Sequence, residues 1–350
     1  MSRHLAVFAL FCLLLSISDQ ARAQELPRER RSAAASGGIL ELGNLTWTEI
    51  DALSRDSTLF LLTVGMLEEH GPHLPIASDQ IGVEYEAGQV AKRLGRALPG
   101  WNVVMMPTVN YGSAGANHVG GMPVHPGTYG VRQSTLRALI ADIGGQVAQN
   151  RFRWVFVMSG HGAPTHSIAI NEACDFVSSA FDVTMLNVSA LFKADSSMQE
   201  RGASLAARHF SRDELASFGL DVHAGVGETS GLLAIRPDLV RPGYRNLPSV
   251  AAWSLEAMRS VAQRPGWQGY FSSPARANAA YGRAIEEWWI AGMTELILQA
   301  VRGEPMTGRP RYPGALRGDP RARTVEEILE HERAFGRKLE NWLAQRGESE

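Results

Sequence analysis

With 350 residues, 45% of them hydrophobic and 20% charged, the chain can bury one large core or two smaller ones. A net charge of −2 gives no electrostatic reason to expect nucleic acid or an anionic membrane as partner. Of the two cysteines, Cys12 falls in a leader and Cys174 stands alone in the remainder, which excludes an intramolecular disulfide once the leader is gone.

The leader is residues 1–23. Arg3 and His4 make a short basic start, residues 5–17 are apolar apart from Ser16, and Ala21-Arg22-Ala23 places small residues where a signal peptidase reads. This predicts a cleavable signal peptide cut after Ala23 and a periplasmic or secreted protein. No membrane span remains after its removal, because the apolar core is too short to cross a bilayer. Residues 24–38, rich in Arg, Ser, Ala and Gly, read as a flexible lead-in.

The folded domain is predicted over residues 39–303. Thr46 can cap a short helix beginning at Trp47, with Glu49 completing a capping box. Residues 59–64, LFLLTV, form a continuous apolar run, which predicts a strand buried on both faces. Glu68, His70, His73 and Asp79 follow in a segment of loop character broken by Gly71, Pro72 and Pro75. Helical periodicity is expected over 80–98, a strand over 101–106, and a long Gly, Asn and His-rich loop over 107–128. A helix over 131–149 leads to a strand over 153–158 that ends in Ser159-Gly160-His161-Gly162. A helix over 164–180, with proline in its first turn, then precedes a strand over 182–188.

Residues 195–215 read as one polar helix, and 221–230 as a loop leading into 231–235. Residues 237–269 read as irregular, and 275–302 as a long helix containing Trp288 and Trp289. Residues 304–350 form a tail with a charged helix over 324–346, taken as a surface or subunit-contact element. Strands alternating with helices imply an α/β fold with a mainly parallel sheet and helices on both faces.

Seven of the ten histidines, at 70, 73, 118, 125, 161, 166 and 223, fall in or beside four Gly-rich loops. Three of these loops follow predicted strands, and in a parallel sheet such loops emerge along one edge. Glu, His and Asp brought together there suit a divalent ion such as Zn, Mn or Fe. No Gly-x-Ser-x-Gly motif or phosphate-binding glycine loop competes, and Cys174 falls within a predicted helix.

The run Gly65-x-x-Glu68-Glu69-His70-Gly71-Pro72-His73-Leu74-Pro75 with Asp79 resembles the opening motif of the creatininase, or creatinine amidohydrolase, family. Pro126-Gly127-Thr128, with His118 ahead of it, resembles the second motif, Gly160-His161-Gly162 the third, and His223-Ala224-Gly225-x-x-Glu228-Thr229-Ser230 the fourth. Gly269, Pro274, Ala277 and Gly282 fit the usual carboxyl-terminal pattern.

The resemblance implies a three-layer α/β/α fold and a metal-dependent amidohydrolase that opens cyclic amides or related C–N bonds of small molecules, often as a homohexamer. It implies two divalent ions. Glu68, Asp79 and His161 would hold one; His70, the shared Asp79 and a further carboxylate would hold the other. In creatininase proper that carboxylate lies two residues after the third-motif histidine, where this chain has Ala163. Glu228 is the nearest substitute, as ligand or general base, with His223 as the other proton-transfer candidate.

Two further departures are Ala163-Pro164 where many members have Gly-Asn, which argues against creatinine itself, and Glu69 where glutamine is usual. A formamide or short-peptide hydrolase on the same centre, or a non-catalytic metal- or substrate-binding member, remain open as alternatives.

Overall fold

The structure is a computed structural model and describes residues 37–120, 125–314 and 316–346. The expected signal peptide and most of the lead-in lie outside the described residues. Five strands form one sheet: β1 (Ile39–Glu41), β2 (Thr58–Val64), β3 (Asn102–Met105), β4 (Trp154–Ser159) and β5 (Thr184–Asn187). Their spatial order is β1-β3-β2-β4-β5, and every pairing is parallel.

Every residue of β2 is buried, as its unbroken apolar run requires. Alternate residues serve opposite layers. Leu59 and Leu61 pack with Val83, Val90, Phe192 and Met293, whereas Phe60, Leu62 and Val64 pack with Leu136, Ile140, Ile170 and Cys174. The first layer is built from α2 (Ser78–Ala97), α5 (Val188–Ala194) and α10 (Ala279–Val301); the second from α3 (Gln133–Gln149) and α4 (Pro164–Phe181). The result is the expected three-layer α/β/α arrangement. Before β2, α1 (Trp47–Ala52) starts with the predicted capping box, in which Thr46 N donates to Glu49 Oε2 at 2.7 Å.

Several local expectations change. Asp79 lies in the first turn of α2 rather than in a loop, because the helix starts at Ser78, soon after Pro75. The single helix expected over 195–215 is two, α6 (Ser196–His209) and α7 (Arg212–Phe218), each starting at its own side-chain cap, Asp195 and Ser211. Residues read as a loop contain α8 (Val226–Ile235), and the stretch read as irregular contains α9 (Leu255–Ala262), capped by Ser254. The charged helix, α11 (Arg321–Gln345), is more than a surface element. Its Val325 and Ile328 are buried, and Glu332 accepts hydrogen bonds from Gln133 N at 2.8 Å, at the start of α3.

Strand order fixes where a site can form. β2 is followed by a helix on one face of the sheet, while its neighbour β4 is followed by a helix on the other. A crevice opens beyond the carboxyl ends of two such strands. β2 and β4 run in register to their last residues, Val64 opposite Ser159, so the loops carrying Glu68 and His161 leave side by side.

Candidate metal centre and cavity

Glu68, His70, Asp79, His161 and His223 are all buried beyond this crevice, and Glu228 stands at its rim. Glu68 Oε2 lies 2.9 Å from His161 Nδ1. Asp79 points one oxygen each way: Oδ2 is 3.2 Å from His161 Nδ1 and Oδ1 is 3.3 Å from His70 Nε2. Glu228 Oε2 is 3.5 Å from the same His70 nitrogen, and His223 Nδ1 is 3.8 Å from Glu68 Oε1. Three overlapping triads result, Glu68/Asp79/His161, His70/Asp79/Glu228 and Glu68/His70/His223, each with its ligand atoms within 4.8 Å of one another.

These atoms fit a divalent ion. Glu68 Oε2, Asp79 Oδ2 and His70 Nε2 are buried and make no hydrogen bond, a costly arrangement for polar groups unless something else engages them. The imidazoles are oriented from behind. His70 Nδ1 pairs with the Glu68 carbonyl at 3.0 Å and His223 Nε2 with the Glu69 carbonyl at 2.7 Å, which leaves the other nitrogen of each ring facing inward. Burial opposes a charge on His161, but Glu68 and Asp79 outweigh it and lift the ring to about 10. The concentration of negative charge that does this to an imidazole is the field that would hold a cation.

The other motif residues buttress this centre. Thr128 Oγ1 accepts from Glu69 N at 3.2 Å, tying the second motif to the first. His73 is held neutral, at about 4, by burial, and its Nε2 meets Thr229 Oγ1 of the fourth motif at 2.9 Å. His166 sits behind His161, its Nε2 3.0 Å from Ser159 Oγ and its Nδ1 accepting from Ser113 N at 3.2 Å. Gly269 has φ +77°, and a β-carbon there would collide with the Glu69 carboxylate. At Gly160 it would collide with the Asp79 carbonyl, so strand β4 and helix α2 can meet only where no side chain intervenes.

Residues 43–297 match the creatininase (creatinine amidohydrolase) family. The chain is 30% identical over 272 residues to the creatinine amidohydrolase of Pseudomonas putida, covering 73% of this chain and 95% of that protein. The chain belongs to the creatininase family. It is also 29% identical to the mycofactocin precursor peptide peptidase of Mycobacterium ulcerans, over 70% of this chain and 86% of that one. Among solved structures, creatinine amidohydrolase superposes with a TM-score of 0.56 at 25% identity, covering 75% of this chain and 98% of the other. A manganese creatininase and a creatininase of zinc–zinc type match about as well, with TM-scores of 0.56 and 0.55.

Position 163, where the resemblance implied a carboxylate, is Ala163, and the carboxylate that stands beside His70 and Asp79 is Glu228. α8 delivers it. Asp221 accepts hydrogen bonds from Val226 N at 2.9 Å and Gly227 N at 2.7 Å, which satisfies the first turn and fixes Glu228 one residue later.

A cavity of about 550 Å³ opens on the centre. Apolar wall is provided by Met258, Phe271, Trp288 and Trp289, and the tail contributes Tyr312, Arg321, Thr324 and Ile328. Glu86, Lys193 and Glu286 also face this cavity, and none was singled out from sequence. For Glu286 the available signal was a glutamate directly after Ile285 and two positions before Trp288 in a largely apolar helix. No helix among the described residues is long and apolar enough to cross a membrane.

Proposed function

We propose that this creatininase-family protein is an exported amidohydrolase that cleaves an amide C–N bond with two divalent ions, manganese or zinc. One ion would be held by Glu68, Asp79 and His161, the other by His70, Asp79 and Glu228. The observation that carries this reading is Asp79, whose two buried oxygens face two different histidines, 3.2 and 3.3 Å away. That is the disposition of a bridging carboxylate.

Bound ions would supply a water of near-neutral pKa and a Lewis acid for the amide carbonyl. The chain supplies the rest. His223 donates from Nε2 to the Glu69 carbonyl, which fixes Nδ1 as the proton acceptor on the side facing the site. From there it can take the proton of the attacking water and deliver it to the leaving nitrogen, so that amide and water give a carboxylic acid and an amine.

The substrate is an amide, either cyclic or within a short peptide. The cavity volume lies in the ordinary range for ligand sites, roughly 300–1,000 Å³, and leaves room for more than a single small ring. Purified full chain, loaded with manganese or zinc, should hydrolyse at least one member of a panel of lactams, hydantoins, formamides and short peptides, and Asp79→Ala should abolish that activity together with metal retention. Wild type that holds metal but cleaves none of the panel would leave a binding protein; failure to hold metal would remove the reading altogether.

A further inference from the structure

On the wall of the same cavity lie two carboxyl groups unrelated to the metal triads. Glu86, on α2, and Glu286, on α10, are 9% and 8% exposed and both line the cavity. Glu286 Oε2 makes no hydrogen bond. Its Oε1 packs against Gly231 of α8, where even a β-carbon would come within 2.8 Å, so the local packing reserves space for this carboxyl group.

Burial pushes Glu286 up to about 7, and burial followed by the charge of Glu286 raises Glu86. Two buried carboxyls so placed do not both ionise without a cation between them. Lys193, which also lines the cavity, acts on Glu86, but its single charge also answers Asp79 and Glu228. One lysine serving three carboxylates leaves the Glu86/Glu286 pair short of positive charge.

Geometry relates this pair to the reaction centre. Asp79, Val83 and Glu86 fall at positions i, i+4 and i+7 of α2 and so share one face of it. Asp79 and Glu86 are therefore about 10 Å apart along the helix axis, at 1.5 Å per residue. Three residues of extended backbone span roughly the same length.

We propose that Glu86 and Glu286 form a subsite for a primary ammonium group of the substrate, which makes the preferred substrate a short peptide or amino-amide whose charged amine lies up to about three residues from the bond cleaved. This rests on the amidohydrolase reading for the bond, but not for the binding of the amine.

Two experiments on the full chain at pH 7 separate them. In calorimetric titrations, wild type should bind pentylamine about tenfold or more tightly than its neutral counterpart 1-pentanol, the worth of a charge-assisted hydrogen bond. Glu286→Gln, nearly isosteric, should lose that difference. Gly231→Ala, which crowds the carboxyl without replacing it, should reduce it. Equal affinity for amine and alcohol in wild type, or undiminished preference in Glu286→Gln, overturns the subsite.

In the kinetic experiment, a metal-loaded enzyme is given an alanine tripeptide with free or acetylated amino terminus. The ratio of the two kcat/KM values should favour the free amine about tenfold or more in wild type and fall toward one in Glu286→Gln. Amine-selective binding with no hydrolysis of any amide would sink the hydrolase reading and keep the subsite. Equal hydrolysis of both peptides with no amine preference in binding would do the reverse.

Discussion

Replacing Glu228 by glutamine separates a structural role from a metal-binding one, because the two roles differ in magnitude. Structurally, Glu228 is an acid in the first turn of α8, with Oε2 accepting from Ala224 N at 2.5 Å. Glutamine keeps the acceptor and loses the charge. The loss is about 0.3–1 kcal/mol for the helix dipole, and about 1 kcal/mol for turning a charge-assisted hydrogen bond into a neutral one. The side chain is 40% exposed, so solvent screening holds the total near 1 kcal/mol, or about 2 °C in the melting temperature of a domain this size. As a ligand, Glu228 is the sole carboxylate besides Asp79 in its triad, and an amide is a poor replacement. Metal content should then fall from two equivalents toward one, and turnover by roughly 10²–10⁴-fold, the range expected when a proton-transferring or metal-activating group is lost. Melts under chelation read the first effect; elemental analysis and steady-state kinetics read the second. A Glu228→Gln protein with full metal and full turnover would reduce the residue to a helix acid and leave the second ion without its carboxylate.

Other outcomes follow from the same geometry. Asp79→Ala should lose more metal than His70→Ala, since Asp79 faces both histidines; elemental analysis of the two proteins decides, and equal retention removes the bridge. Gly160→Ala should cost about 1–3 kcal/mol in chemical denaturation by forcing β4 away from the start of α2, and should weaken metal binding with it; an unchanged midpoint would contradict the close packing. The raised folded-state value of Glu286, about 7, means that this carboxyl holds its proton in the native chain and loses it in the unfolded one between about pH 4.5 and 7. The stability that Glu286 contributes to the metal-free chain, read as wild type minus Glu286→Gln, should therefore fall as pH rises through that window, with Glu86 and Lys193 lining the same cavity, and Glu286→Gln should stabilise at pH 8 and do little at pH 4.5. A melt series in which both proteins respond alike to pH would refute it. Mass spectrometry of exported material should find a chain beginning at Gln24, and light scattering should find a homo-oligomer; an intact Met1 or a monomer would end those two proposals.

The sheet and the gathering of Glu68, His70, Asp79 and His161 at its edge were legible because their signals are local. A run such as LFLLTV can satisfy its environment only in a doubly covered strand, and loops after parallel strands share an edge, so Glu68 and His161 could be placed together without coordinates. α8 was illegible because Gly225 and Gly227 read as loop, whereas Asp221 accepts the first-turn N–H groups and α10 packs on the helix at Gly282. α9 is short and follows a proline-rich stretch, so its one signal was Ser254 as a cap. The Glu86/Glu286 pair depends on α2 and α10 meeting across about two hundred residues of chain, and no local pattern encodes that. Asp79 does meet His70 and His161 as expected, but from a helix and not a loop, since Pro75 hid how soon the helix starts.

The placement of α11 has a consequence for how this protein can diverge. Every group that faces the proposed ions is in place by residue 228, whereas Tyr312, Arg321, Thr324 and Ile328 reach the cavity from a segment that begins beyond the family match at residue 297. Part of what shapes admission is thus written in a stretch of the gene separate from the groups that face the ions. Substitution or exchange of the last fifty or so codons can redraw which molecules enter while every ligand position stays as it is.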